Sequence, residues 1–219
     1  ATRWLKEIEE DDLEEYQRLT QRPEYKQGDI AALYSEVYRT RFPITGDGYR
    51  AIEKIMSDPK KVWPNIGYSI LAQVMNKTQH NLVITTNFDR LTETALLSYQ
   101  NIHARVIAHE TMLEVVAIDG QHPSIAKVHR DMLFSSISKP EDLDELKGRW
   151  SPVIKDILRQ YHVIAIGYGG NDGGLMDVLS QALQETPNAQ MYWCHRGEQP
   201  DKLQELSPQV VSVKIPSFD

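Results

Sequence analysis

The chain has 219 residues, of which 41% are hydrophobic and 25% charged, and this ordinary globular composition can form one sizeable core or a core with a small lobe. A net charge of −7 disfavours general attraction to nucleic acid or anionic membranes, and the single cysteine, Cys194, excludes a disulfide framework and a four-cysteine zinc site. Because no apolar run approaches the length of a membrane span and no signal-peptide pattern is present, we expect a soluble, cytoplasmic protein.

The first part of the chain contains helical patterns and no strand-like run. Glu7 to Leu19 is strongly acidic with apolar residues at helical spacing, which predicts an amphipathic helix with a solvated face. Ile30 to Tyr38 and Tyr49 to Met56 are predicted to form two further helices. The pattern therefore predicts a helical lobe over residues 1–63, and a spacer that covers a face of a sheet is the alternative.

From residue 64 to residue 219, strand-like and helix-like patterns alternate. Strands are predicted at 82–86, 104–108, 124–129, 162–168, 189–194 and 210–215, and helices at 66–75, 90–97, 151–160, 175–183 and 201–206. Such alternation is typical of crossover connections. It predicts an α/β domain with a largely parallel sheet and helices on both faces.

The first turn of interest follows the β-branched run at 82–86. Asn87, Phe88 and Asp89 interrupt this run before a helical pattern begins at Arg90. A turn between a strand and a helix lies at the carboxyl edge of the sheet, where open α/β folds bind ligands. Asn87 and Asp89 are therefore candidate site residues, although Asp89 also occupies a position suited to a simple helix N-cap.

A second turn, with the sequence Gly167-Tyr168-Gly169-Gly170-Asn171-Asp172, connects a strand-like run to a helical one. Its small residues allow the backbone to approach a phosphate or a ribose closely, and the helix that follows offers free N–H groups. A glycine-rich turn between a strand and a helix serves tight packing about as often as it binds a ligand. Asp172, like Asp89, can be interpreted as an N-cap alone.

Between the two turns, the segment from Ala126 to Asp131 contributes His129. A lone histidine is more often a structural residue than a catalyst. The string His-Arg-Asp is not accompanied by the other protein-kinase motifs, so a kinase is excluded. The sequence also contains no HExxH, GxxxxGK[ST] or GxGxxG motif, which excludes the common zinc, P-loop and dinucleotide fingerprints.

The order of these pieces is more specific than any one of them. A strand ending in TTNFD, a strand ending in KVH and a strand ending in IGYGGND resemble the sirtuin-like family, in particular the bacterial sirtuin-like domains that hydrolyse NAD in anti-phage defence systems. The resemblance extends from Pro64 to the end of the chain. It implies a Rossmann-like fold and NAD as the substrate.

The resemblance also implies roles for individual residues. Asn87 matches the asparagine that holds the nicotinamide ribose and orders the attacking water, Asp89 matches the acid that meets the nicotinamide carboxamide, and His129 matches the catalytic base. No metal ligand is implied. The remaining residues that the resemblance places along the bound nucleotide are Thr85, Thr86, Phe88, Gly167, Tyr168, Gly169 and Asp172.

The sequence departs from the family pattern at three points. The opening strand and GAGxS phosphate loop are not found in residues 1–63, where Gly46-Asp47-Gly48 is predicted to be a turn with no strand before it. We therefore expect a fragment, or a sheet that another segment completes. Arg130 follows His129 where the family usually has glycine. The zinc-binding cysteines of protein deacylases are absent, which disfavours peptide deacylation.

Three functions remain open on the sequence alone. The first is an NAD hydrolase that forms nicotinamide and ADP-ribose, with ADP-ribosyl transfer to another acceptor as a variant of the same first step. The second is a module that senses NAD or a related nucleotide without cleaving it, which Arg130 and the missing phosphate loop favour. The third is an assembly module whose acidic face at 7–15 packs on a partner. We expect an oligomer or a fused partner domain, with no nucleic acid or membrane bound by this domain.

Overall fold

The structure is a computed structural model, and it describes most of the 219 residues. The described residues are 1–28, 30, 33–58, 60, 62–108, 112, 122–128, 140–170, 173–197, 203, 206 and 208–216, with the backbone alone at 45, 140–147, 149, 173 and 174. These residues divide into two compact units, Ala1–Val62 and Trp63–Asp219. That the units are independent domains stays a prediction.

The first unit is helical over its described residues. Its helices are α1 (Thr2–Asp11), α2 (Leu13–Thr20), α3 (Pro23–Lys26), α4 (Tyr34–Arg41) and α5 (Thr45–Met56). The core of this unit is rich in aromatic rings, because Trp4 meets the ring of Phe42 edge-on at 5.2 Å between centroids and also contacts Tyr34 and Tyr38. Edge-to-face ring contacts of this kind add to the stabilisation from burial alone.

The prediction of one continuous acidic helix over 7–19 is wrong, because the helix is interrupted at Asp12. The backbone of Asp12 is extended, with φ −150° and ψ 88°. Its carboxylate accepts a hydrogen bond of 3.1 Å from the Glu15 backbone N–H. Asp12 therefore acts as the N-cap of a second helix, a role that aspartate fills well because it satisfies an otherwise unpaired N–H.

The other two helices of this unit also differ from their predicted bounds. The second predicted helix begins later, at Tyr34, and the third begins earlier, at Thr45, so that Gly46-Asp47-Gly48 lies within α5 and is not a turn. The Arg50 side chain donates to the Gly46 carbonyl and pairs with Asp47 at 2.8 Å, which fastens the first turn. Gly48 lies so close to Tyr38 that a Cβ atom there would collide with the phenol.

The second unit shows the alternation of helices and strands that the sequence predicts. In order, its elements are α6 (Ile66–Lys77), β1 (Leu82–Thr85), α7 (Leu91–Gln100), β2 (Arg105–Ile107), β3 (Ser124–Lys127), α8 (Pro140–Gln160), β4 (Val163–Ile166), α9 (Gly173–Glu185), β5 (Met191–His195) and β6 (Val210–Lys214). The predicted helix at 201–206 falls largely outside the described residues. The mixed α/β architecture is therefore confirmed.

All strand pairs described in this unit are parallel, which confirms the predicted sheet type. They form two three-stranded sheets, with the strand orders β1-β3-β2 and β4-β5-β6. In the first sheet, Thr85 of β1 is in register with Lys127 of β3. Because parallel neighbours end at the same edge, the carboxyl ends of β1 and β3 lie side by side.

β3 is the central strand of its sheet and the most buried one. Each of its four residues is buried, and Ile125 has no exposed surface. Both sheets contribute to one hydrophobic cluster, which contains Ala126 and Val128 from the β3 region and Ala165 and Trp193 from β4 and β5. A short strand buried on both faces is typical of a parallel sheet covered by helices.

We expect Ile125→Ala to lower the free energy of unfolding by about 2–5 kcal/mol, because it leaves a cavity in the central strand. Ile164 on β4 is the matched control, since it is the same residue type in a parallel strand but is 62% exposed. Ile164→Ala should cost less than about 1 kcal/mol. Urea unfolding followed by circular dichroism measures both values. Equal losses in the two variants would contradict the placement of the core.

Candidate functional site

The turn after β1 is shaped by two short-range hydrogen bonds. The Thr85 hydroxyl accepts from the Asn87 backbone N–H at 3.0 Å, and the Asp89 carboxylate accepts from the Leu91 N–H at 3.0 Å. Side-chain to backbone bonds over two residues are typical of the turns that threonine and aspartate favour. Asn87 is exposed, whereas Thr86, Phe88 and Asp89 are half-buried. The turn therefore presents an amide to solvent at the carboxyl edge of the sheet.

Asp89 does not occupy the N-cap position that the sequence predicts for it. The N-cap of α7 is Arg90, whose carbonyl accepts the first helical hydrogen bond from the Thr94 N–H at 2.8 Å. Asp89 lies one residue earlier but still satisfies a free N–H of the first turn, that of Leu91. The Asp89 carboxylate thus stabilises the start of α7 as an N-cap side chain would, although Asp89 belongs to the preceding turn.

The end of β3 contributes a buried cation that the sequence analysis missed. The Lys127 side chain has no exposed surface, and its Nζ lies 2.8 Å from Oε1 of Glu93 in the first turn of α7. The same Nζ donates to the Asp89 backbone carbonyl at 2.8 Å. The sequence signal is the lysine at the end of a strand predicted to be buried. Because a lysine is rarely buried without a charged partner, its position there indicates a paired acidic residue.

The carboxyl ends of β1 and β3 are joined by the backbone as well. The Val128 N–H donates to the Thr85 carbonyl at 3.0 Å, one residue beyond the strand bounds of β3. The structure thus brings together Thr85, Asn87 and Asp89 beside the end of β3. His129, the next residue after Val128 in the sequence, lies outside the described residues, and so do Arg130 and Asp172. Their positions in the site stay predictions.

The glycine-rich turn follows β4 in the second sheet. Gly167 and Gly170 have φ values of +68° and +65°, a conformation that favours glycine because a Cβ atom would be strained there. A Cβ atom on Gly167 would meet no atom within 4 Å, so the space around it is open. The Tyr168 ring packs on Trp193 at 5.3 Å between centroids. The turn therefore combines an open backbone with an anchored aromatic side chain, and Gly169 lies exposed within it.

Both turns adjoin the same hydrophobic cluster. Ile84, which precedes the first turn, and Tyr168 in the second are half-buried residues packed against it. The common cluster shows that the two sheets belong to one packed unit.

Other candidate chemistries find little support in the described part of the chain. Burial raises the pKa of the Cys194 thiol, which lowers its thiolate fraction and its reactivity as a nucleophile. No three histidine, cysteine, aspartate or glutamate side chains among the described residues are grouped as a metal site would require. Every helix in the ranges that the structure describes is too short or too polar to span a bilayer.

The fold and the turn geometry define a class of protein. It is a Rossmann-like α/β protein with polar residues at the carboxyl ends of parallel strands, where such folds bind ligands. The family model of the SIR2-like domain matches residues 81–210, which is more than half of the 219 residues. The chain therefore belongs to the SIR2-like family, and the predicted sirtuin-like relationship is confirmed. SIR2-like domains have NAD-related functions and bind NAD. A comparison with curated proteins gives no match.

We expect Asp89→Ala to lower the free energy of unfolding by about 1 kcal/mol, because the Leu91 N–H loses its acceptor. Asp89→Asn keeps a side-chain oxygen at the same position and should retain most of that stability. Urea unfolding of both variants measures the difference. If the two variants were equally destabilised, the charge of Asp89 and not its hydrogen bond would stabilise the turn.

Proposed function

We propose that this domain hydrolyses NAD to nicotinamide and ADP-ribose. The observation that best supports the proposal is the exposed Asn87 at the carboxyl end of β1, beside the end of β3, where its backbone N–H donates to the Thr85 hydroxyl. This is the edge at which open α/β folds bind nucleotides. Membership of the SIR2-like family supports NAD as the nucleotide.

The reaction suits the residue types at this edge. The bond between ribose C1′ and the nicotinamide nitrogen breaks, its electron pair leaves with nicotinamide, and positive charge develops on the ribose. The oxygen of a water molecule then bonds to C1′, and the proton of that water passes to a base. Such a step requires an oriented ribose and water together with a base of near-neutral pKa, and a strong nucleophile is not needed.

Each predicted site residue has a role in this proposal. Asn87 holds the nicotinamide ribose and the attacking water, Asp89 meets the carboxamide of nicotinamide, and His129 accepts the proton of the water. Thr85 fixes the turn that presents Asn87, between its neighbours Thr86 and Phe88. The adenosine ribose is assigned to the second turn, at Gly167, Tyr168, Gly169 and Asp172.

The absence of zinc-binding cysteines bears on the substrate. With one cysteine in the chain, the four-thiolate zinc site of protein deacylases cannot form. We therefore favour water as the acceptor over an acyl-lysine peptide. Transfer of ADP-ribose to another acceptor shares the first bond-breaking step, and the ratio of free ADP-ribose to nicotinamide released distinguishes the two.

The biological setting of the proposal is anti-phage defence, as the resemblance to bacterial defence domains suggests. Depletion of NAD would be the effector action in that setting. Induced expression of the wild-type chain in bacteria should then lower cellular NAD, whereas expression of Asn87→Ala should not. If expression of the wild-type protein left cellular NAD unchanged, NAD depletion would not be its action in the cell, whether or not the purified protein hydrolyses NAD.

A nucleotide sensor that does not cleave NAD is the second candidate. Arg130, which follows His129 where the family usually has glycine, favours it, as does the lack of a GAGxS loop in residues 1–63. Calorimetric titration with NAD, run in parallel with an assay for nicotinamide, distinguishes the two functions. A sensor binds NAD and releases no nicotinamide.

We expect His129→Ala to reduce nicotinamide release by about 10²–10⁴-fold, the usual cost of removing a general base. Asn87→Ala should reduce it by about 10²-fold, because the ribose and the water lose their orientation. Chromatography of nicotinamide and ADP-ribose measures both rates, and circular dichroism checks the fold.

The matched controls are His80→Ala and Asn188→Ala, since both residues are exposed and lie outside the proposed site. These controls should keep the wild-type rate. Full activity in either site variant would remove that residue from the mechanism.

A further inference from the structure

Lys127 connects three parts of the second unit at one buried point. It is the last residue of β3, and its side chain is completely buried. Its Nζ lies 2.8 Å from Glu93 Oε1 on α7 and 2.8 Å from the Asp89 carbonyl oxygen in the turn after β1. A strand, a turn and a helix are thus joined through a single ammonium group.

Stability alone is a weak explanation for this arrangement. An apolar residue at the end of β3 could fill a buried position without the loss of hydration that an ammonium suffers. Replacement of buried ion pairs by apolar residues of similar volume is often neutral or stabilising. Orientation is a better explanation, because an ammonium bonded to both Glu93 and the Asp89 carbonyl holds the two acceptors in place.

Lys127 holds the far end of the turn. The bonds from the Asn87 N–H to Thr85 and from the Leu91 N–H to Asp89 each join residues two apart and shape the turn locally. The Val128 N–H holds the start of the turn to β3 through the Thr85 carbonyl. The bond from Lys127 to the Asp89 carbonyl joins residues 38 apart. It therefore fixes the Asp89 end of the turn against the neighbouring strand, as the Val128 bond fixes the Thr85 end. Glu93 balances the charge of Lys127 and orients its Nζ.

We propose that Lys127 and Glu93 are positioning residues for the site, which hold the turn with Asn87 and Asp89 against the end of β3. This inference deepens the proposed function and rests on it where catalysis is concerned. Neither residue is expected to touch the substrate, since Lys127 is buried and Glu93 has 19% of its side chain exposed. Their effect passes through the position of the turn.

The first test reports on the turn and needs no NAD. The protein is labelled with 4-fluorophenylalanine, which gives signals from four phenylalanines, and Phe88→Leu assigns the signal of the turn. Lys127→Met should shift or broaden the Phe88 signal, well below the unfolding temperature. Lys155→Met is the control, because Lys155 forms an ion pair of similar length, 2.7 Å, with Glu185 at a more exposed position elsewhere in the unit. It should leave the Phe88 signal unchanged.

The second test uses NAD and the rate of nicotinamide release. Lys127→Met should lower kcat by about 10- to 100-fold with a much smaller change in KM, because misplacement of a positioned group by about 1 Å can cost that much in rate. Lys127→Arg, which keeps a buried cation and donor, should recover part of kcat. Lys155→Met should keep the wild-type kcat.

The outcomes separate this inference from the proposed function. If the wild-type protein releases no nicotinamide, the proposed function fails, and the fluorine signal still decides whether Lys127 positions the turn. An unshifted Phe88 signal or a wild-type kcat in folded Lys127→Met overturns the positioning role. If Lys127→Met does not fold, Glu93→Gln replaces it in both tests. Glu93→Gln keeps an acceptor for Nζ but loses the charge. It should then shift the Phe88 signal and lower kcat, as predicted for Lys127→Met.

Discussion

A charge at the end of a completely buried strand is the constraint on which this structure depends. β3 has neighbours on both sides and helices over both faces, so a lysine at its last position has no route to water. The surrounding protein must supply its acceptors, and α7 and the turn before it each contribute one. Loss of one partner of such a pair typically costs about 3–5 kcal/mol, so strand, turn and helix are held as a set.

This constraint connects packing with chemistry. Asn87 and Asp89, two of the residues proposed to contact NAD, lie on the short turn between β1 and α7. Local hydrogen bonds to the Thr85 and Asp89 side chains shape the turn, which leads directly into α7. The buried ammonium of Lys127 holds the Asp89 end of the turn in place. The role proposed for Asn87, the orientation of a ribose, requires a fixed position more than it requires a special electrostatic environment. The site is therefore built from rigid elements around a small exposed group.

Much of this could be predicted from the sequence, because local patterns fix local structure. The apolar runs gave β1, β3 and β4 within one or two residues, and Gly167 has the positive φ that its turn requires. The errors arose at helix boundaries, where single hydrogen bonds decide which residue is the cap. Asp12 ends one helix and caps the next, and the Arg90 carbonyl displaces Asp89 from the N-cap by one position. The pairing of Lys127 with Glu93 joins distant positions, so no local pattern could predict it.

β4 has a property that bears on how the protein is handled. Its Ile164 and Ile166 point to the same side of the strand and are 62% and 44% exposed, whereas Ala165 between them is buried. Alternate residues of a strand share a face, so these two isoleucines form an apolar strip open to water. Such strips favour self-association as protein concentration rises. Preparations should therefore be more monodisperse when dilute, and an Ile164→Lys substitution offers a simple way to improve solubility without disturbing the interior.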